Sequence, residues 1–126
     1  MIEALFNQPS YLAAKKSLDA IELRQQAIAG NIANLETPGY RRLDLAPSFQ
    51  NELTRATASG DPGQIAALHP ALAPDPAAVA HSRDGNTVDL ESELMQMNQN
   101  FLAHSLETQL VTGAFAKLRM AITGKS

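Results

Sequence analysis

The sequence predicts a mainly α-helical chain: two long terminal helices packing as an antiparallel, coiled-coil-like pair, with a long irregular or partly disordered middle segment between them. Three observations carry this expectation. Apolar residues near each terminus recur with alternating spacings of three and four. The stretch Glu36 to Asn86 holds six of the seven prolines, and Thr54 to Ser82 has no aromatic residue and no sustained period of either 2 or 3.6. Finally, alanine is abundant while aromatics make up only 5% of the chain, a balance suited to helix–helix contact.

The first helix is predicted from Pro9 to Leu35. From Tyr11, apolar or small residues fall at Ala14, Leu18, Ile21, Ile28, Ile32 and Leu35, with Gln25 filling the one polar slot. Pro9 suits a first turn, where its missing N–H costs nothing. Thr37-Pro38-Gly39 ends the run, because a residue before proline is pushed out of helical backbone geometry. Beside this seam, Ala13, Ala20 and Ala27 repeat every seven residues with Gly30 beyond them, a narrow face that admits close approach by another helix. In the middle, Leu45 to Leu53, with Phe49, forms a candidate short helix, no strand is predicted, and Asp84-Gly85-Asn86 signals a turn. The second helix is predicted from Asp89 to Thr123, with Leu90, Leu94, Met97, Phe101, His104, Thr108, Val111, Phe115, Leu118 and Ile122 on its seam. Asp89 is its expected N-cap; Glu91 and Glu93 in the first turn, and Lys117, Arg119 and Lys125 toward the end, match the helix dipole. At about 1.5 Å per residue this helix reaches roughly 50 Å. Leu102, Leu106 and Leu110 add a flanking stripe. The chain thus divides into residues 1–40 (first helix), 41–83 (middle, with the short helix at 45–53) and 84–126 (second helix), together forming one domain.

Net charge is −3 with acids and bases interspersed, and the largest Lys/Arg clusters are the pairs Lys15, Lys16 and Arg41, Arg42. Nucleic acid is therefore not an expected partner. No apolar run is long enough to cross a membrane. Met1 to Ser10 holds Glu3, no basic residue and Pro9, so no cleaved signal peptide is predicted. The absence of cysteine excludes disulfides and thiolate metal sites. His104 lies on the second seam and reads as a packed or partner-bonded residue, while His69 and His81 sit in the middle segment. Asp89, Glu91 and Glu93 are accounted for by capping and dipole alone. The reading is of a non-enzyme without cofactor or metal, whose surplus apolar surface points to assembly.

Three stretches resemble a known family. Ile28-Ala29-Gly30-Asn31-Ile32-Ala33-Asn34-Leu35-Glu36-Thr37-Pro38-Gly39-Tyr40-Arg41 is similar to the amino-terminal signature of the flagellar axial family of rod and hook proteins, A-N-x-A-N-x-x-T-P-G-Y, with Gly30 in place of the usual alanine. Arg83-Asp84-Gly85-Asn86-Thr87-Val88-Asp89-Leu90-Glu91-Ser92-Glu93-Leu94 and the closing Phe115-Ala116-Lys117-Leu118-Arg119-Met120-Ala121-Ile122-Thr123-Gly124 resemble elements of its proximal-rod branch. The resemblance implies a structural subunit exported without signal cleavage through the flagellar type III apparatus. It would assemble through its terminal helices into the periplasmic rod of the basal body, the drive shaft that transmits torque for motility. Implied partners are further copies of the chain, neighbouring rod proteins, the adaptor joining rod to membrane ring, and the export gate. Assembly residues expected on these grounds are Leu18, Ile21, Ile28, Asn31, Ile32, Asn34, Pro38, Gly39, Tyr40, Leu94, Phe101, Leu106, Leu110, Phe115, Leu118 and Ile122. Alternatives are another rod protein of the same family, or a cytoplasmic helical adaptor or export chaperone.

Overall fold

The computed structural model describes residues 2–124, so Lys125 lies outside the described residues. Element order is α1 (Ile2–Phe6), α2 (Pro9–Ala33), β1 (Leu43–Leu45), α3 (Ser48–Ser59), α4 (Pro62–Ala66), β2 (Leu72–Pro74) and α5 (Leu90–Thr123). The two long helices begin and end close to where their sequence signals fall. Pro9 occupies the first turn of α2, which closes at Ala33, two residues before the predicted Leu35. Asp89 caps α5, its Oδ2 accepting from Ser92 N at 3.1 Å. Gly124 ends α5 with φ at 62° and its N–H bonded to Met120 O, a left-handed stop that glycine adopts without strain. No described helix is long and apolar enough to cross a membrane.

The long helices run antiparallel: Glu93 lies beside Asn31, Asn100 beside Ile21 and Gln25, and Phe115 beside Tyr11. The face that α5 turns inward differs from the predicted seam. Glu93 and Asn100 are buried, Gln96, Met97, Ala103, Glu107, Val111, Ala114 and Leu118 are half-buried, and Leu94, Phe101, His104, Thr108, Phe115 and Ile122 are exposed. The inward line lies about one residue away from the expected one, because polar groups on it find long-range partners and small residues permit close approach.

The middle segment is folded, correcting the expectation of an irregular stretch. Its strands form a two-stranded antiparallel sheet in the register Leu43↔Pro74, Asp44↔Ala73, Leu45↔Leu72. The predicted short helix is present but shifted and longer: Pro47 precedes it, and it continues to Ser59, where Gly60 closes it at φ 69°. Asp61 caps α4 by accepting from Gly63 N at 2.9 Å. Phe49, Leu53 and Ala56 of α3, with Ile65 of α4, pack onto Ala20 of α2, flanked by Leu12, Ala13, Leu45 and Leu68. The alanine face of α2 is thus covered by the chain's own middle segment, because short side chains let α3 and α4 approach. Burying side chains such as Phe49, Leu53 and Ile65 stabilises the fold by about 1.5–3 kcal/mol each.

Candidate functional site

Of the three stretches that carry the resemblance, the first two fall at the end of the helix pair where α2 stops and α5 starts, and the third, Phe115 to Gly124, lies at the other end. The last carbonyls of a helix have no intrahelical donor, and here three side chains address them or their turn. Asn34 Nδ2 donates to Gly30 O at 2.8 Å, and Thr37 Oγ1 donates to Asn34 Oδ1 at 3.1 Å. Asn86 arrives from the other signature: its buried Nδ2 lies 2.9 Å from Asn34 O, 3.0 Å from Leu35 O and 2.8 Å from Thr37 O. Its Oδ1 accepts from Val88 N at 2.8 Å. Gly39 and Gly85 supply the turns this needs, at φ 71° and 80°, and Gly39 N–H donates to Asp84 O at 2.9 Å.

Next to this latch lies a buried charge cluster. Arg42 donates from Nε to Glu93 Oε1 at 2.5 Å, and from Nη1 to Asp44 Oδ2 at 3.1 Å and Asp75 Oδ2 at 2.7 Å. Arg24 on α2 donates to Asp44 Oδ1 at 2.9 Å. Glu93 is fully buried, and its second oxygen accepts from Asn31 Nδ2 at 3.3 Å. Asn31 also clasps β1, donating to Leu43 O and accepting from Leu43 N, each at 2.9 Å, and accepts from Tyr40 OH at 3.4 Å. Burial works against the Arg42 charge, but Glu93 and Asp44 outweigh it and hold the guanidinium above its ordinary value. Burial likewise opposes the Asp44 charge, yet Leu45 N–H and the two arginines bring that carboxyl below its ordinary value. Such a cluster stabilises little overall once desolvation is counted, but it admits one arrangement of its partners. It fixes the register of α2, β1 and α5 against one another.

The far side of α5 is different. Phe101, Leu102, Leu106 and Leu110 are 63–69% exposed along the middle of the helix. At the other end of the pair, Phe6, Tyr11, Ala14, Val111, Phe115 and Leu118 line an open cleft of about 430 Å³. Phe6, Tyr11 and Phe115 meet edge-to-face there, with ring centroids 5.7–6.2 Å apart, a favoured aromatic geometry.

No family model matches the chain, but whole-length relatives do. A flagellar basal body rod protein FlgB of Cereibacter sphaeroides is 34% identical over 114 residues, covering 82% of this chain and 86% of that protein. The chain belongs to the FlgB family. The FlgB of Escherichia coli K12 is 31% identical over 115 residues, 79% of this chain and 82% of that protein, and the FlgB of Borrelia hermsii is 28% identical over 127 residues, 86% and 92%.

On this FlgB-family fold the expected assembly residues separate into three groups. Ile28 and Asn31 are buried within the chain itself, with Asn31 occupied by the latch and cluster. Leu18, Ile21, Ile32, Asn34, Tyr40 and Leu118 are half-buried. Pro38, Gly39, Leu94, Phe101, Leu106, Leu110, Phe115 and Ile122 are exposed. The structure brings Asn31, Asn34, Gly39 and Tyr40 together at the latch and places Phe101, Leu106 and Leu110 on the free face of α5. Sequence reasoning missed Arg42, Glu93, Asn86 and Asn100. Glu93 does more than complement the helix dipole, since it is fully buried and partners Arg42 and Asn31. Asn100 donates to Ile21 O and Gln25 Oε1, both at 3.0 Å, a contact that nothing local announces.

Proposed function

We propose that this chain is a structural subunit of the flagellar basal body rod, assembling with further copies and with neighbouring rod proteins through α2 and α5 and transmitting torque as part of the shaft. Family membership supplies the rod. The observation that supports the mode of assembly is the free face of α5, where Phe101, Leu102, Leu106 and Leu110 lie in solvent. Large apolar side chains exposed close together on one helix mark a partner surface. The adaptor between rod and membrane ring and the type III export gate are further partners in this reading, with export proceeding without signal cleavage. No catalytic role is assigned: Asp89 is used as a helix cap and Glu93 as the partner of Arg42 and Asn31.

Leu106→Asp tests the reading. The position is 64% exposed, so the monomer should keep its stability to within about 0.5 kcal/mol, while a charge on the assembly face should leave cells non-motile and purified basal bodies without a rod. Normal swimming by a strain carrying only the variant would remove α5 from the interface. Export separates this reading from a cytoplasmic adaptor: the rod subunit leaves the cytoplasm only when the type III apparatus is intact.

A further inference from the structure

α5 is one helix from Leu90 to Thr123, yet its two halves are held by different means. The first half is tied by directed bonds: Glu93 to Arg42 and Asn31, and Asn100 to Ile21 and Gln25. Past Asn100 the polar approach is that of the Ser17 hydroxyl to the Glu107 carboxyl. Beyond Glu107, the contacts with α1 and α2 among the described residues are apolar: Val111, Ala114 and Leu118 are half-buried, and Phe115 meets Tyr11 and Phe6 at ring edges. They do not close, and the cleft of about 430 Å³ remains between them.

Within the apolar part lie Val111-Thr112-Gly113, three weak helix formers in a row that together disfavour the helix by about 2 kcal/mol relative to alanine. Two usual reasons for a glycine are missing at Gly113. A Cβ there would meet nothing within 4 Å, so no close approach requires it, and its φ is not among the positive values. What remains is backbone freedom.

We propose that Val111–Gly113 is a joint, and that the Ala114–Thr123 arm swings away from α2 while Leu90–Leu110 stays latched. Opening uncovers Tyr11 and Leu118, which are half-buried against the arm and α2. On the rod reading above, the arm then exchanges its contact within the chain for one with a second copy. The joint itself is a property of the monomer and is tested there.

The chain has no cysteine, so spin-label pairs can be placed without background. Ser10→Cys with Lys117→Cys spans the cleft, and Glu22→Cys with Gln99→Cys spans the latched half. Pulsed electron-spin distances should show two populations across the cleft and one narrow distance across the control pair. Adding Gly113→Ala should reduce the open-to-closed ratio about fivefold, the equivalent of the roughly 1 kcal/mol by which alanine favours helix over glycine, and leave the control unchanged. A single narrow distance across the cleft, a second population indifferent to Gly113→Ala, or opening of both pairs together would each overturn the joint. None of these results touches the rod reading, which stands or falls with Leu106→Asp.

Discussion

Replacing Asn86 by alanine should be among the most damaging single changes to this fold, although the residue adds almost nothing to the apolar core. Its amide serves three carbonyls and its oxygen serves Val88 N–H. Not all of these groups are orphaned by the substitution. Asn34 O still accepts from Thr37 N at 3.0 Å, and Thr37 O from Tyr40 N at 3.2 Å. Leu35 O and the buried Val88 N–H lose the partner described for them. An unsatisfied buried group costs about 1–3 kcal/mol, so the two together give about 3 kcal/mol. With a urea slope of about 1.5 kcal/mol per molar, appropriate to a small protein, the unfolding midpoint should fall by about 2 M. Asn86→Asp keeps the acceptor for Val88 but sets a carboxylate against three carbonyls, so it should be at least as destabilising. An Asn86→Ala midpoint within about 0.3 M of the parent would mean that the latch does not hold the two signatures together.

The charge cluster gives a second test: Glu93→Ala leaves Arg42 buried with part of its bonding lost and should cost about 3 kcal/mol. The double change Arg42→Met with Glu93→Leu should recover most of that in urea titrations, since removing both charges also removes their desolvation cost. A double variant no more stable than Glu93→Ala would show that the pair contributes net stability. Titration behaviour supplies a third. Asp44 has its folded pKa lowered, so its contribution is present above the ordinary carboxylate range and is lost as pH falls through the folded value; Asp44→Asn should destabilise at pH 7 by more than at about pH 3. Burial pushes the Glu107 carboxyl up against the Ser17 hydroxyl, which reverses the sign: its contribution is full below the ordinary value and is lost as pH rises. Glu107→Gln should therefore raise the melting temperature at neutral pH, with the gain vanishing by about pH 4. Thermal melts of both variants across that range would check the two signs.

The long helices were legible because their ends carry local chemistry: Pro9 and the Thr37-Pro38-Gly39 stop for α2, and the Asp89 cap for α5. The inward face of α5 was not, because hydrophobic periodicity assumes that large apolar residues point to the core. Here Glu93 and Asn100 point inward, satisfied by Arg42, Asn31, Ile21 and Gln25, from which they are separated by 51–79 residues. The strands escaped notice because Leu43-Asp44-Leu45 and Leu72-Ala73-Pro74 are three residues each, too short for an alternation to register. α3 announced itself through Phe49 and Leu53, but its start was misplaced because Leu45 belongs to a strand and Pro47 separates the two elements. At the latch, the long reach of Asn86 to the end of α2 lies outside anything local spacing encodes.

That reach imposes an order of events on a chain that emerges amino terminus first. Leu35 O at the end of α2 and the Nε of buried Arg42 depend on Asn86 and Glu93, so the latch and the charge cluster can be completed only after the start of α5 has appeared. Until then the first two thirds of the chain have the Asn31 clasp, the Arg24–Asp44 pair and the α3–α4 core but not the latch, and the loop to be closed is already some 50–60 residues long, with an entropic cost that grows only slowly with further length. A chain cut before Arg83 should therefore be less stable than the whole chain, and closure of the latch becomes a late event. Such timing suits a subunit that takes its final shape only where it is installed.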